Sequence, residues 1–338
     1  MVARIGINGF GRIGRQVLRA TIERHPDDLQ VVAVNDLGDT STNAHLFKYD
    51  SNYGIYPGDV EAGADSVIID GSPVKILSER EPSKIDWGQH GVDIVVESTG
   101  FFTDGSAAAG HLQGGAKKVI ISAPAKGEDI TVVLGVNEGS YIADKHHVVS
   151  NASCTTNCIA TMAKVIHDEF EVEEGFMTTI HSYTGDQQIL DKIHEDLRRA
   201  RAAATNIIPT TTGAAKAVGL VLPDLNGKID GMSFRVPTAT VSVTDFVAKL
   251  KKTASVDEIN DSYKEAANNN LNGILDYTDI PLVSSDFKKN YHSSVIDGQS
   301  TMAIGSQFVK VVGWYDNEWG YSCRTSDLAR FISEQGLN

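Results

Sequence analysis

A glycine string near the start of the chain constrains the fold more than any other feature. The string GFGRIG occupies residues 9–14, directly after a strand-like run at 4–8, and a helical pattern begins at about Arg12. In such a setting Gly9 permits a tight turn, Gly11 lets backbone approach a pyrophosphate, and Gly14 allows the helix to pack closely on the strand. The helix N-terminus then offers free N–H groups to phosphates. Glycine-rich turns are common, however, so the string alone is weak evidence for a dinucleotide site.

The segment after the string strengthens this interpretation. Residues 31–35 form a second strand-like run that ends at Asp36, about the 20 residues beyond the glycines that a dinucleotide fold requires. A carboxylate there accepts hydrogen bonds from both ribose hydroxyls of NAD and repels the 2′-phosphate of NADP, and Leu37 supplies no compensating cation. The alternative is that Asp36 caps a helix or turn. We predict an NAD site that includes Asp36.

Periodicity divides the chain into two regions. Strand-like runs, including 92–97 and 119–122, alternate with helical patterns up to about residue 150, which predicts βαβ units and a parallel sheet. Beyond that point longer strands at 178–181, 231–235 and 240–250 favour a largely antiparallel sheet. Helices are predicted at 257–269, with Ser255 as cap, and at 325–334. At 338 residues two domains are expected. The predicted fold is α/β: a Rossmann-type doubly wound parallel sheet plus an α+β catalytic domain.

A cysteine and a histidine carry the candidate chemistry. Cys154 begins an amphipathic helix that reaches about Glu169, and the positive end of the helix dipole favours a thiolate with a lowered pKa. Cys158, one turn later, suits helix packing. His181 ends a strand and precedes a polar loop, from which it could act as a base. By themselves the two residues also fit a core cysteine and a structural histidine. No second CxxC-like pair and no HExxH string are present, so we predict no metal site.

Composition limits the partners. A formal net charge of -14 opposes general affinity for nucleic acid or an anionic membrane surface, so an anionic substrate requires locally placed arginines. Three cysteines are too few for a disulfide framework and suit a reducing compartment. The first residues lack the pattern of a secretory signal, and no apolar run approaches the length of a membrane span. We expect no nucleic-acid or membrane partner and a cytoplasmic location.

The motifs together resemble one family, the glyceraldehyde-3-phosphate dehydrogenases. The matching strings cover essentially the whole chain in the family's order. They lie at residues 7–15, 152–158, 181–184, 196–201, 210–216, 235–238 and 314–321. The resemblance implies NAD-dependent, phosphorylating oxidation of D-glyceraldehyde 3-phosphate to 1,3-bisphosphoglycerate. Cys154 then attacks the aldehyde, His181 removes the hydroxyl proton, and inorganic phosphate releases the product from a thioester.

The resemblance also implies binding residues, domain bounds and assembly. Thr184 and Arg235 hold the substrate C3 phosphate, with Asp186 orienting the arginine. The attacking phosphate is received by Ser153, Thr155, Arg199, Thr212 and Gly213. The cofactor is bound by Gly9, Gly11, Arg12, Ile13, Gly14, Asp36, Arg80, Ser98, Thr99, Ser122 and Asn317. The predicted domains are 1–153 for NAD and 154–317 for catalysis, with a C-terminal helix at about 318–338 packing on the first. A homotetramer is implied, with the loop at 183–201 near a neighbouring subunit's cofactor.

Three alternatives stay open at this level. Lys192 and Ile193 replace the Leu-Pro usual in strictly NAD-dependent members, which leaves an NADP-tolerant biosynthetic form possible. Erythrose-4-phosphate dehydrogenase shares the fold, cysteine and histidine, but residues 211–214 and 182–184 keep the glyceraldehyde-3-phosphate pattern. A thiol redox sensor that works through oxidation of Cys154 would keep NAD binding without turnover.

Overall fold

Strand β1 (Ala3–Asn8) is the central strand of the first of two units in the computed structural model, which describes residues 2–337. Residues 2–132, 139–152 and 322–337 form this first unit, and residues 133–138 and 153–321 form the second. Met1 and Asn338, the outer ends of the predicted domain ranges, lie outside the described residues. The short segment at 133–138 belongs to the second unit although it precedes residue 153, which no local sequence pattern predicts.

The first unit is built on alternating strands and helices. Ile5 and Ile7 of β1 are buried because strands pair with β1 on both sides. The other strands are β2 (Leu29–Asn35), β3 (Tyr49–Asp50), β4 (Gly54–Ile55), β5 (Val60–Ala62), β6 (Ser66–Ile69), β7 (Ser72–Leu77), β8 (Ile94–Glu97), β9 (Lys118–Ile121), β10 (Ile130–Thr131) and β11 (Val148–Ser150). The helices are α1 (Arg12–Arg24), α2 (Thr40–Lys48), α3 (Gly105–Ala108) and α4 (Gly110–Gln113).

The sheet of the first unit has the predicted parallel character. Its strand order is β10-β11-β9-β8-β1-β2-β7-β6-β5, and every pair from β10 to β7 is parallel. Only the β5–β6–β7 edge of this described sheet is antiparallel. The carboxyl ends of β1, β2 and β8 therefore meet along one edge, which is where open α/β sheets bind ligands.

The second unit contains helix α5 (Cys154–Phe170) and a mixed sheet of order β13-β14-β12-β15-β19-β17-β16, with β18 beside β19. The β12/β14 and β16/β17 pairs are parallel and the rest are antiparallel. The strands are β12 (Val172–Ser182), β13 (Ile208–Thr211), β14 (Ile229–Val236), β15 (Ser242–Leu250), β16 (Leu275–Thr278), β17 (Ser294–Asp297), β18 (Met302–Ile304) and β19 (Phe308–Tyr315). The later helices are α6 (Ala214–Val221), α7 (Val256–Asn268) and α8 (Trp319–Gln335), most of which belongs to the first unit.

Most predicted elements are confirmed, with ends that differ by a few residues. Ser255 caps α7 in a capping box with Glu258, as its sequence position predicts. The helix predicted from the pattern at 325–334 was too short, because α8 begins at Trp319, close to the start at about 318 that the resemblance implies. Asp316 Oδ1 accepts the backbone N–H groups of Glu318 and Trp319 at 3.1 and 3.0 Å and so caps the earlier start. Helix α6 was not predicted. The fold class, a doubly wound parallel sheet plus a largely antiparallel domain, is confirmed.

Candidate active site

The first unit contains a cavity of about 500 Å³ at the edge where β1, β2 and β8 end. Helix α1 begins beside it, and Gly11 at the N-cap provides no side-chain cap, which leaves N–H groups of the first turn for a ligand. The cavity is lined by Asn8, Gly9, Gly11, Asn35, Asp36, Leu37, Glu79, Arg80, Ser98, Thr99, Phe101 and Phe102.

The three glycines of the string each meet a steric requirement. Gly9 has a φ of +89°, and a Cβ there would lie 2.7 Å from the backbone nitrogen of Thr99. A Cβ on Gly14 would lie 2.2 Å from the carbonyl oxygen of Gly9, so helix and strand could not approach as they do. At Gly11 an added Cβ would meet no atom within 4 Å. The structure thus has room above Gly11 for a phosphate group close to the backbone.

Asp36 directs its carboxylate to this cavity while bonding to two backbone groups. Oδ2 accepts the N–H of Phe10 at 3.0 Å, and Oδ1 accepts the N–H of Gly38 at 2.8 Å. The turn-capping interpretation is therefore partly correct. A carboxylate has about four acceptor sites, so each oxygen retains one for a ribose hydroxyl.

The other predicted cofactor residues are distributed unevenly. Arg80, Ser98 and Thr99 line the cavity, and Asn317 lies in the second unit. Besides Asn317, four predicted residues of the first unit are not among the lining residues described. Ile13 and Gly14 lie in the first turn of α1, Arg12 forms an ion pair with Asp50, and Ser122 Oγ donates to the carbonyl of Glu97. Sequence reasoning missed the lining residues Asn8, Asn35, Glu79, Phe101 and Phe102. The available sequence signal was the pair of aromatic residues at 101–102, which follows the strand-like run at 92–97. In the structure Phe101 is 86 % exposed.

Cys154 is the first residue of α5 in the second unit. Ser153 is the N-cap, and its Oγ accepts the N–H of Thr156 at 3.0 Å. This cap fixes the first turn and places the cysteine at the positive end of the helix. Cys154 keeps some solvent contact, whereas Cys158 is buried against Met162, with the two sulfurs 3.6 Å apart.

His181 lies next to the cysteine, as the predicted roles of this pair require. Its Nε2 is 3.6 Å from Cys154 Sγ, and its Nδ1 is 2.7 Å from the carbonyl oxygen of Ser182. Since a carbonyl only accepts, the proton of the neutral ring is assigned to Nδ1, which leaves the Nε2 lone pair facing the thiol. The ring is nearly fully buried at the end of β12. The pair has the geometry of a nucleophile and its base.

The protonation behaviour of the pair differs from the sequence-based expectation. Burial raises the pKa of the Cys154 thiol, although the positive charge of Arg235 and hydrogen bonds from the hydroxyl and N–H of Thr155 act in the opposite direction. The predicted lowering was wrong in direction because the desolvation of a thiolate here outweighs the charge and hydrogen bonds that favour it. Burial, assisted by Arg235, lowers the pKa of His181 to about 3. Both shifts favour the uncharged forms, a thiol beside a neutral imidazole.

Two arginines form a cationic region beside His181. Arg235 Nη1 is 2.9 Å from Thr184 Oγ1, and Arg199 Nη1 is 2.6 Å from Asp186 Oδ2. The same oxygen of Asp186 lies 3.9 Å from Arg235 Nη2, so one carboxylate bridges both guanidinium groups. Thr184 also donates to Asp186. Arg235 Nε is buried without a partner among the described residues, which suits a site that receives an anion.

The remaining predicted phosphate residues lie at helix starts. Ser153 caps α5, and Gly213 is the N-cap of α6, where Thr212 Oγ1 accepts the N–H of Ala214 at 3.2 Å. Thr155 differs, because its hydroxyl bonds the phenol of Tyr315 at 2.8 Å and is buried. Tyr315 also bonds Thr179 at 2.8 Å, and it was missed because a tyrosine in a strand has no distinctive pattern.

Comparison with known proteins identifies the family. Residues 3–105 match the family model "Glyceraldehyde 3-phosphate dehydrogenase, NAD binding domain", and residues 153–317 match the C-terminal domain model of the same family. The chain is 57 % identical over 337 residues to glyceraldehyde-3-phosphate dehydrogenase of Geobacillus stearothermophilus, with 100 % of both chains covered. Identity is 56 %, also with 100 % of both chains covered, to the enzyme of Priestia megaterium and to glyceraldehyde-3-phosphate dehydrogenase 1 of Bacillus subtilis. The chain belongs to the glyceraldehyde-3-phosphate dehydrogenase family.

Membership of the glyceraldehyde-3-phosphate dehydrogenase family confirms three predictions. The chain is an oxidoreductase enzyme, its cofactor is NAD, and the resemblance drawn from the motifs was correct. All residues that line the cavity of the first unit lie within the matched NAD-binding segment. The matched C-terminal segment contains Cys154, His181 and the two arginines. Among residues 2–337, no helix is both long enough and apolar enough to cross a membrane.

Proposed function

We propose that this chain oxidises D-glyceraldehyde 3-phosphate to 1,3-bisphosphoglycerate, with Cys154 as nucleophile and His181 as general base. One observation carries the assignment of roles. The Nε2 lone pair of His181 faces Cys154 Sγ at 3.6 Å, while Nδ1 is held by the Ser182 carbonyl. A base in this tautomer can take a proton from the thiol without any rotation of the ring.

Acylation then proceeds on the protein's own atoms. Cys154 Sγ bonds to the aldehyde carbon while His181 takes the thiol proton and passes it to the carbonyl oxygen, which becomes a hydroxyl and leaves His181 neutral again. His181 next takes the proton of that hydroxyl while the carbon loses its hydrogen with both bonding electrons. NAD, when bound, supplies the acceptor for those electrons. The product of this step is a thioester on Cys154.

Deacylation uses the attacking phosphate. A phosphate oxygen bonds to the thioester carbon, the carbon–sulfur bond breaks, and the Cys154 thiolate leaves. The charge of Arg235 stabilises that thiolate, since it acts to lower the thiol pKa. The same charge helps keep His181 neutral and able to act as a base. Arg235 therefore favours the reactive form of both catalytic residues.

The two phosphate groups are assigned to the cationic region. Thr184 and Arg235 are proposed to hold the substrate C3 phosphate, and Arg199 with Ser153, Thr212 and Gly213 the attacking phosphate. The bridging contacts of Asp186 support this pairing, because they fix the two guanidinium groups at separate positions around one carboxylate. The buried bond of Thr155 to Tyr315 favours an indirect role for that threonine.

The cofactor is proposed to occupy the cavity of the first unit. Gly9, Gly11 and the start of α1 would receive the phosphates, Asp36 the adenosine ribose, and Arg80, Ser98 and Thr99 the walls around the adenosine. Arg12, Ile13, Gly14 and Ser122 would contribute through backbone or by shaping the turn. Asn317 would orient the nicotinamide carboxamide, and its Oδ1 is held by the hydroxyls of Ser182 and Ser242 at 2.9 and 3.0 Å.

Assembly and location are proposals of the same kind. Four apolar side chains of the 183–201 loop are strongly exposed, namely Ile189, Leu190, Ile193 and Leu197. Exposed apolar clusters of this kind mark contact sites. They support a homotetramer in which this loop contacts a neighbouring subunit. The reduced cysteines support a cytoplasmic location.

Initial rates test the proposal directly. Wild-type protein is assayed with glyceraldehyde 3-phosphate or erythrose 4-phosphate and either NAD or NADP, with and without inorganic phosphate, beside Cys154→Ser. We expect sustained NAD reduction that depends on phosphate, and no turnover in Cys154→Ser although NAD still binds. If the wild type binds NAD but does not turn over, a redox sensor is favoured. If it turns over erythrose 4-phosphate but not glyceraldehyde 3-phosphate, erythrose-4-phosphate dehydrogenase is favoured.

A further inference from the structure

A buried carboxylate lies beneath the cofactor cavity and has no part in the chemistry described so far. Glu97 ends β8 and is 2 % exposed. Its Oε1 accepts the backbone N–H of Thr99 at 2.8 Å and the Thr99 hydroxyl at 2.5 Å. Its Oε2 accepts Nδ2 of Asn8 at 2.5 Å and lies 3.0 Å from Nε2 of His111. Both oxygens of this carboxylate are thus fully used.

The tautomer of His111 is determined by a third residue. His111 is fully buried, and its Nδ1 lies 3.0 Å from the indole Nε1 of Trp87. An indole nitrogen only donates, so Nδ1 must accept and the ring proton must be on Nε2, directed at Glu97. Trp87 is itself fully buried in a cluster with Ile85 and Val92, which prevents the indole from turning away.

The orientation of Asn8 is determined in the same way from the other side. Its Oδ1 accepts Nδ2 of Asn35 at 2.8 Å. The amide of Asn35 is in turn fixed by backbone, because its Oδ1 accepts the N–H of Glu79 and its Nδ2 donates to the Glu79 carbonyl, both at 2.8 Å. Asn8 must therefore present its NH₂ group to Glu97. All four partners of Glu97 are fixed donors.

The other end of this network is the wall of the cavity. Asn8, Asn35, Glu79 and Thr99 all line it. The Thr99 hydroxyl, which donates to Glu97, also accepts the N–H of Phe101 at 3.1 Å, across a turn in which Gly100 has a φ of +76°. Glu97 thereby holds the turn that carries Phe101 and Phe102, two further lining residues. A turn fixed before binding lowers the entropic cost of ordering the cavity around a ligand.

We propose that Trp87, His111 and Glu97 form a positioning relay that preorganises the adenosine half of the NAD site. The relay acts through Thr99 and Asn8 and touches no reacting atom. This inference rests on the proposed function, since it assumes that NAD occupies this cavity. The relay requires that both terminal side-chain atoms at position 97 accept hydrogen bonds. It also predicts that substitutions of these residues have non-additive effects on NAD affinity, because they depend on the His111 tautomer.

The first test compares NAD affinity in single variants. Glu97→Gln keeps shape but directs an NH₂ group at two fixed donors, so the dissociation constant for NAD, measured by calorimetric titration, should rise by roughly ten- to a hundredfold. The Michaelis constant for glyceraldehyde 3-phosphate and the turnover at saturating NAD should change little. Ile85→Val, which removes a methyl group from the same core cluster, is the control and should leave NAD affinity unchanged.

The second test is a rescue that a merely structural role does not predict. Trp87→Phe removes the indole donor, so the ring proton of His111 can move to Nδ1, and Nε2 can then accept from the amide that Glu97→Gln introduces. Trp87→Phe should weaken NAD binding alone, by about two- to fivefold, yet partly restore it in the Glu97→Gln background. If the two losses add or worsen each other in the double variant, the relay is disproved.

The remaining outcomes, in which a variant does not fold, also support or contradict the relay. If Glu97→Gln does not fold but the double variant folds and binds NAD, the tautomer coupling is supported. If neither folds, Thr99→Val is decisive, because it removes the hydroxyl that donates to Glu97, and an unchanged NAD affinity would overturn the inference. Wild-type NAD binding separates the two proposals: its absence contradicts the proposed function, whereas equal binding by wild type and all variants contradicts the relay alone.

Discussion

His181 and Arg235 are partners across the parallel pair β12/β14, and Nη1 of the arginine lies 3.1 Å from Nδ1 of the imidazole. Both nitrogens carry protons, because Nδ1 donates to the Ser182 carbonyl, and Arg235 Nη1 approaches the same carbonyl at 3.2 Å. The contact is therefore a close approach of a fixed charge to the unreactive edge of the ring. That charge acts to lower the pKa of both the proposed nucleophile, Cys154, and the proposed base, His181.

The first prediction concerns the nucleophile. Arg235→Gln should shift the pH profile of Cys154 alkylation by iodoacetamide toward higher pH, because Arg235 is the charge that opposes the raised pKa of this thiol. Alkylation at neutral pH should be slower than in the wild type. The measurement is the alkylation rate without NAD across the neutral and alkaline range. A variant with the wild-type profile would show that this charge does not reach the sulfur.

The second prediction separates the two phosphate positions. Arg235→Leu should raise the Michaelis constant for glyceraldehyde 3-phosphate by about ten- to a hundredfold, since a charged hydrogen-bond partner of a bound phosphate is lost. Arg199→Leu should do the same for inorganic phosphate. The Michaelis constant for NAD is the internal control in both variants. Equal effects on all three constants would indicate a folding defect or a wrong assignment.

A third prediction concerns acid stability. Burial lowers the pKa of His181 in the folded protein to about 3, below its ordinary value of 6.5. As pH falls from 6.5 toward about 3, the unfolded chain binds a proton at this group that the folded chain does not. The free energy of unfolding therefore falls by about 1.4 kcal/mol per pH unit from this group. Above that range the effect is absent.

The variant His181→Asn should therefore lose less thermal stability than the wild type between about pH 7 and pH 5. Tm from calorimetry at both pH values is the measurement. His90→Asn, at a partly exposed position in the first unit, is the control and should behave as the wild type does. Equal losses in His181→Asn and wild type would mean that this ring is not buried in its neutral form.

The fourth prediction concerns cofactor choice. Asp36→Ala should weaken NAD use and improve NADP use, because repulsion of the 2′-phosphate and a ribose hydrogen bond disappear together. The ratio of the specificity constant for NAD to that for NADP should fall by one to two powers of ten if Asp36 contributes roughly 1.4–3 kcal/mol to the difference in binding free energy of the two cofactors. Asp36→Asn is the matched control for charge, since it keeps an acceptor for the Phe10 or Gly38 N–H. An unchanged ratio would place the discriminating carboxylate elsewhere.

The fifth prediction concerns Lys192, whose cation from a neighbouring subunit would reduce the discrimination against NADP. If its cation contacts the 2′-phosphate, wild-type protein will show appreciable NADP activity, and Lys192→Leu should reduce it without changing NAD kinetics. Both cofactors are measured in both variants. Equal losses with NAD and NADP in Lys192→Leu would assign Lys192 to the structure of the loop.

The sequence by itself determined those features that depend on neighbours along the chain. The glycine string with Asp36 indicates a dinucleotide site, Ser255 before the helix at 257–269 indicates a capped helix start, and alternating strands and helices indicate a parallel sheet. These signals are local because tight turns, caps and periodic burial depend on residues a few positions apart. The family resemblance added the role of His181, which its own surroundings in sequence do not reveal.

Tertiary structure decided what depends on distant residues and on burial. His181 reaches Cys154 only because β12 returns beside the start of α5, and Glu97 becomes the centre of a network only when β1 and β8 pair. The expected lowering of the Cys154 pKa failed for the same reason. A helix terminus can be read from sequence, but the desolvation that opposes it depends on every element packed around the sulfur.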